Sequence, residues 1–262
     1  MPGVVRSAVL CLGLAAIAGA QTPVVQDGGV LNAASFVASQ PIAAGSLVSI
    51  FGSELAAGLQ VADSIPLSTT MGNVSVTFND VPAPILFVSQ SQINAQVPWE
   101  VQTASARVVV KRGDALSAAR QAVMGPFSPG IFSTQFGTGQ AIAINSATGL
   151  LAAAAGAIPG LTTEPVRPGG VIIVYANGLG AVTPAPKTGS SSTDALRNTN
   201  TMPEVLIGGK AAQVAFSGLA PQFVGVNQLN IVIPDGVTGD TLPLQLRVGG
   251  ITTSDKVTIA VR

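Results

Sequence analysis

The sequence predicts an all-β protein folded as two successive β-sandwiches, and three observations predict it. The stretch PIAAGSLVSIFGSEL, Pro41 to Leu55, has an echo in PVRPGGVIIVYANGL, Pro165 to Leu179. In each copy a proline and a glycine lead into a run of apolar, mostly β-branched residues, closed by a small-residue turn ending in leucine. That pattern is a turn, a buried strand and a second turn. Charged residues make up only 9% of the chain, against roughly 25% in ordinary soluble proteins. The 30 glycines and 18 prolines sit among abundant Val, Ala, Ser and Thr, a composition suited to short strands joined by tight turns. Finally, no amphipathic helix lies between the strand-like runs, which disfavours a parallel α/β architecture.

Residues 1–20 have the form of a secretory signal. Arg6 supplies a positive start, Ala8 to Ala18 an apolar stretch, and Ala18-Gly19-Ala20 a small-residue cleavage site. The apolar run is too short for a membrane anchor, and no later stretch is long and apolar enough to span a bilayer. The only cysteine, Cys11, lies inside this signal, so the mature chain is held together by packing rather than by disulfides. The expected location is therefore outside the cytoplasm: periplasm, cell surface or extracellular space.

After a polar lead-in, Gln21 to Gly29, the repeat proceeds in order. Val30-Leu31-Asn32-Ala33-Ala34 pairs weakly with Ala143-Ile144-Asn145-Ser146-Ala147. The opening stretch and its echo follow. VSVTFNDVPAPILFVS, Val74 to Ser89, then matches EVLIGGKAAQVAFSG, Glu204 to Gly218. Each is two strands around a two-residue turn, Asn79-Asp80 or Gly208-Gly209, the signature of a hairpin. QINAQVP, Gln92 to Pro98, parallels QLNIVIP, Gln228 to Pro234. Within it Gln92, Asn94 and Gln96 alternate with Ile93, Ala95 and Val97, so one face meets a core and the other is polar. Pro98 and Pro234 end the ladder because proline has no N–H. Last strands end near Val123 and Val261.

Each unit yields about seven short strands, the size and rhythm of an immunoglobulin-like sandwich. The expected domains are 28–127 and 128–262 behind the 1–20 signal. The polar run at 184–200 is expected to be a mobile loop of the second domain.

The order G-x-x-V-x-I-x-G-x-x-L, a hairpin ending in P-A or A-A, a strand closing in V-P and then V-x-V-x-x-G resembles the IPT/TIG group of immunoglobulin-like domains. Gly45, Val48, Ile50, Gly52, Leu55, Pro82-Ala83, Val97-Pro98 and Gly113 carry it in the first copy. Gly169, Ile172, Val174, Leu179, Ala211-Ala212, Ile233-Pro234 and Gly249 carry it in the second, which departs at Ala176, where the first copy has Gly52. Over nearly the whole mature chain, LNAASF, PAPILFVSQSQINAQVPWEV, GTGQAIAIN, YANGLGAVTP and GLAPQFVGVNQLNIVIP resemble the Solibacter-type C-terminal domain family of secreted acidobacterial proteins. That resemblance implies secretion and a sandwich-type accessory module, and brings no established activity with it.

Chemistry is sparse. The chain has no histidine, so Ser-His-Asp and Cys-His nucleophile pairs and the usual zinc sites are absent. Twelve basic residues balance twelve acidic ones, without a basic cluster, which argues against nucleic acid as a partner. Scattered acids that do not recur as a pair across the copies argue against a glycosidase. Asp235 to Asp240 lacks the alternating ligands of a calcium loop and is expected to be a turn. No cofactor or metal is implied, and the protein is expected not to be an enzyme. Two function classes stand: a non-catalytic interaction or structural module, and a carbohydrate-binding accessory module. The partner is accordingly a protein or a polysaccharide. Trp99, the only tryptophan, and Tyr175, the only tyrosine, are the candidate ligand-binding residues. Trp99 is either an exposed stacking platform or, as its place after Pro98 suggests, packed between the sandwiches with Phe127, Phe132 or Phe136. The repeated Gln-apolar-Asn is either a hydrogen-bonding strip for a ligand or a device that satisfies backbone groups where a ladder is interrupted.

Overall fold

The computed structural model describes residues 21–262; residues 1–20, with the signal-peptide expectation and Cys11, lie outside the described residues. Among the described residues every regular element is a strand, and no helix is long and apolar enough to cross a membrane.

In the first sandwich one sheet runs in the order Val24–Asn32, Leu47–Ser53, Gln92–Gln96, Ile85–Val88, Gln60–Val61. The other is built on the antiparallel pair Val74–Phe78 and Ser105–Arg112, with Thr70–Met71, Ala115–Leu116 and Arg120–Val123 beside them. Alternation closes the core between the sheets. Val74, Val76 and Phe78 are buried while Ser75 and Thr77 are half-buried, and they meet Val48, Ile50 and Ile93 from the opposite sheet. Each such side chain contributes about 1.5–3 kcal/mol when fully buried.

The second sandwich repeats this plan. Val171–Asn177 pairs with Asn227–Val232, which pairs with Lys210–Leu219. On the other side Glu204–Ile207 pairs with Gly239–Val248, and that strand with Val257–Val261. Its core joins Ile172, Val174, Leu229 and Ile231 to Ile207, Leu244, Leu246 and Ile259. Both halves are thus immunoglobulin-like sandwiches in tandem. The hairpin turns fall where the sequence puts them: φ is +48° and +66° at Asn79 and Asp80, and +56° and +81° at Gly208 and Gly209. Two consecutive left-handed residues match the twist of the flanking strands.

One expectation needs correction. Residues 21–29 are more than a lead-in, because Val24–Asn32 is a strand paired with Leu47–Ser53. A bulge between Val25 and Val30, with Gly28 at φ +64°, breaks the alternation that would have revealed it. Val25 still enters the core. Its neighbour Val24 explains Gly52, since a Cβ at that position would collide with the Val24 carbonyl.

Candidate functional site

The two sandwiches meet along a junction built from amide side chains and a small apolar cluster. Leu47, Ala220 and Val226 are buried there, with Ala33, Leu86, Phe132 and Tyr175 packed around them. Fully buried Asn177 accepts a hydrogen bond from Leu47 N at 2.9 Å and donates one to Leu47 O at 2.8 Å. One side chain thereby stands in for a peptide unit across the junction. Buried Asn32 donates to Ser128 O at 2.6 Å and accepts from Ala34 N at 2.8 Å. Gln96, also buried, donates to Gly45 O at 3.2 Å and accepts from Gly189 N at 2.8 Å. Buried polar groups are tolerated only when paired, and each of these is.

Gly189 belongs to the polar run 184–200, and that run touches the first sandwich at several points. Leu67 N donates to Gly189 O at 2.8 Å. Thr188 Oγ1 accepts from Trp99 N at 3.1 Å and donates to Glu100 at 2.7 Å. Farther along, the Asp194 carboxylate is held well below its usual range, to about 2, chiefly by the hydrogen bond from Arg197. The Arg197 guanidinium is raised in turn, first by the same bond. In the first sandwich Glu54 is likewise lowered, by the Gln90 amide and then by Arg112.

Trp99 lies at this junction, half-buried. Its indole rests on Gly45, where φ is +77° and any Cβ would strike the ring. The indole Nε1 is buried without a protein partner. A cavity of about 500 Å³ opens beside it, lined by Trp99, Val101, Met124, Phe127 and, from the second sandwich, Asn200. Phe127 therefore shares this cavity with the indole, whereas Phe136 packs edge-on against Phe36 at 5.2 Å. Tyr175 is half-buried at the margin of the apolar cluster and meets Phe223 edge-on at 5.7 Å.

The repeated Gln-apolar-Asn makes the same bond in both copies. Gln92 Nε2 donates to Asn94 Oδ1 at 2.7 Å, and Gln228 Nε2 to Asn230 Oδ1 at 3.0 Å. Asn94 Oδ1 also accepts from Ser49 Oγ at 3.0 Å. These amides engage one another rather than the backbone. Aromatic residues flank them in register: Phe51 lies opposite Gln92 and Phe87 opposite Asn94. In the second copy Tyr175 lies opposite Gln228 and Phe216 opposite Asn230. Residues paired across antiparallel strands share a face, so each sandwich presents aromatic, amide, amide, aromatic across three strands. A bulge between Ile85 and Phe87, repeated between Val214 and Phe216, puts the second aromatic on this face. Sequence reasoning finds the amides and Tyr175. It misses Phe51, Phe87 and Phe216; for the last two, a bulge changes the parity of the strand without a local sign.

The other candidates resolve into structure. Lys210 Nζ donates to the Asp235 and Gly236 carbonyls at 3.3 and 3.0 Å, and Asp240 pairs with Arg262 at 2.8 Å. The stretch Asp235 to Asp240 is a turn at Asp235-Gly236 leading into the strand Gly239–Val248, and its oxygens face cations of the chain itself. Among the described residues no three His, Cys, Asp or Glu side chains gather as metal ligands would.

Residues 34–129 match the IPT/TIG domain family. That span is nearly all of the first sandwich, and the second repeats its strand order. No curated protein matches the chain. Among solved structures it is similar to the SGBP-B protein of a Bacteroides ovatus mixed-linkage glucan utilization locus, in complex with a mixed-linkage heptasaccharide. That match has 12% identity and a TM-score of 0.35, and covers 87% of this chain and 44% of that one. It is also similar to SGBP-B from a Bacteroides uniformis xyloglucan utilization locus, at 13% identity and TM-score 0.27, covering 88% of this chain and 48% of that one. Domains 5-6 of the S-layer protein SbsC match at 10% identity and TM-score 0.28, covering 92% of this chain and 98% of that one. The chain spans less than half the length of the two SGBP-B proteins.

Proposed function

We propose that the chain is an exported, non-catalytic interaction or structural module that acts at the cell surface or beyond it. The observation that carries this reading is the junction. Paired amides fix two sandwiches as one body, and no residue lining the cavity between them titrates. A cleft between domains is where an active site is commonly found, and this one offers indole, aliphatic and amide groups suited to contact rather than proton transfer. The shifted carboxylates Glu54 and Asp194 belong to ion pairs with Arg112 and Arg197. The resemblance to the Solibacter-type family and the signal at 1–20 support export, with 28–127 and 128–262 as the working domains. Cell fractionation followed by crosslinking on intact cells tests this. The chain is expected in exported fractions with crosslinked neighbours, and confinement to the cytoplasm overturns the reading.

A second reading, carbohydrate recognition, is favoured by one specific observation. Tyr175 stands beside Gln228 as Phe51 stands beside Gln92, so an aromatic surface and an amide recur together. In this reading Tyr175 is a stacking residue, and Trp99 contributes its exposed part at the junction cavity.

A further inference from the structure

We infer that the chain carries two matching binding faces for a neutral polysaccharide, one per sandwich: Phe51, Gln92, Asn94 and Phe87 in the first, Tyr175, Gln228, Asn230 and Phe216 in the second, where Tyr175 also borders the junction cluster. The inference rests on the carbohydrate reading above and names its sites.

The amides are oriented by their mutual bond. With Gln92 Nε2 donating to Asn94 Oδ1, Gln92 Oε1 and Asn94 Nδ2 have no protein partner among the described residues, and neither is a buried orphan. The same holds for Gln228 Oε1 and Asn230 Nδ2. Each face therefore offers solvent one fixed acceptor and one fixed donor, two residues apart on a single strand. Neighbouring hydroxyls of a sugar ring need that complement: one donates to Gln Oε1 and the other accepts from Asn Nδ2. The aromatics stand diagonally on the two adjacent strands, roughly 12 Å apart from strand spacing and rise. Each is half-buried, held in place yet with ring surface left for the C–H side of a sugar. Further aromatic surface adjoins each face, with Phe223 49% exposed against Tyr175 and Phe136 74% exposed against Phe36, which packs on Phe51.

Two features select the ligand class. Residues in register on these faces, Leu31, Val61 and Ile144, are uncharged, so an anionic polymer gains nothing there. The layout also inverts that of a protein interface, which has an apolar centre and a polar rim; here the amides are central and the aromatics peripheral. Both sites sit on paired strands rather than loops, which holds donor and acceptor in place before binding. Two sites on one chain add avidity, by roughly a hundredfold or more when a polymer engages both.

The test is affinity electrophoresis and sedimentation of the full mature chain against hydroxyethylcellulose, xyloglucan, mixed-linkage glucan, starch, chitin and, as the anionic control, polygalacturonate. Asn94→Asp with Asn230→Asp is the decisive variant, because aspartate keeps the acceptor used by Ser49 and Gln92 in the first face and by Gln228 in the second while removing the outward donor. Retention by at least one neutral polymer is expected, with at least a tenfold loss in the double variant and an intermediate loss in either single one. Circular dichroism and thermal midpoint confirm that the variants fold. Should they not, Phe136→Ala and Phe223→Ala, both at exposed side chains, are expected to weaken retention in their place. Absence of retention by every neutral polymer overturns the inference, as does retention that survives these substitutions or favours polygalacturonate. Crosslinking to a protein neighbour without polysaccharide retention overturns the twin faces and leaves the interaction-module reading standing.

Discussion

The same hairpin is built differently in the two sandwiches. In the second, Lys210–Leu219 is one unbroken strand: residues 210–212 pair with Glu204–Ile207 in one sheet and 213–219 with Asn227–Val232 in the other. In the first, Pro82-Ala83-Pro84 interrupts the equivalent run, and its halves, Val81–Pro82 and Ile85–Val88, serve separate sheets. Proline lacks the N–H that would continue the ladder. The sheets of the second sandwich are thus joined by backbone as well as by core. Those of the first depend more heavily on side-chain packing. A duplicated fold can therefore keep its register, down to the matching bulges at Phe87 and Phe216, while changing how its layers are tied.

Truncating equivalent core residues gives the largest expected effect. Phe78 and Ile207 occupy the same place before the hairpin turn, and both are fully buried. Phe78→Ala is expected to cost about 3–5 kcal/mol and Ile207→Ala about 2–5 kcal/mol, measured by denaturant unfolding. A loss at Ile207 that exceeds the loss at Phe78 would break the comparison. The junction gives an intermediate effect. Asn177→Ala leaves the buried Leu47 N–H unpaired, while the Leu47 carbonyl keeps its bond from Ala33 N, and is expected to cost about 1–3 kcal/mol. Its counterpart Ser53 is exposed, and Ser53→Ala is expected to stay within about 0.5 kcal/mol. If the amides make one body of the two sandwiches, Asn177→Ala also splits a single unfolding transition into two.

Acid gives the smallest effect, again one group per sandwich. Asp194 and Glu54 both have lowered folded-state pKa values. Their contributions are complete above the unfolded values and fade as protons are taken up in the folded state. For Asp194 the window runs from 3.8 down to about 2. Thermal midpoints recorded from neutral pH to pH 2 are expected to hold steady and then fall across this range, with a shallower fall in Asp194→Asn.

Much of the fold is legible in the sequence because local rules govern it. The Asn79-Asp80 and Gly208-Gly209 turns, the alternation from Gln92 to Val97 and the duplication itself all lie within short windows. What escapes is set at a distance. Asn177 and Leu47 are 130 residues apart, and Asn32 and Ser128 are 96 apart; nothing near either asparagine marks it as a clamp. Thr188 and Gly189 sit in a run whose composition signals only polarity, yet they bond to Trp99 and Gln96. The aromatic partners of the amide strip are hidden for a different reason. An extra residue at Leu86 and at Ala215 shifts each strand out of step, so simple alternation assigns Phe87 and Phe216 to the wrong side.

Asn177 spends both ends of its amide on one residue of the other sandwich. Aspartate there would keep the acceptor and forfeit the donor, and glutamine would overshoot by a methylene. The clamp on Leu47 is thus specific to one residue type at one site. Drift at that site alone would leave each half intact and pass the alignment of the tandem to Asn32, Gln96 and the apolar cluster.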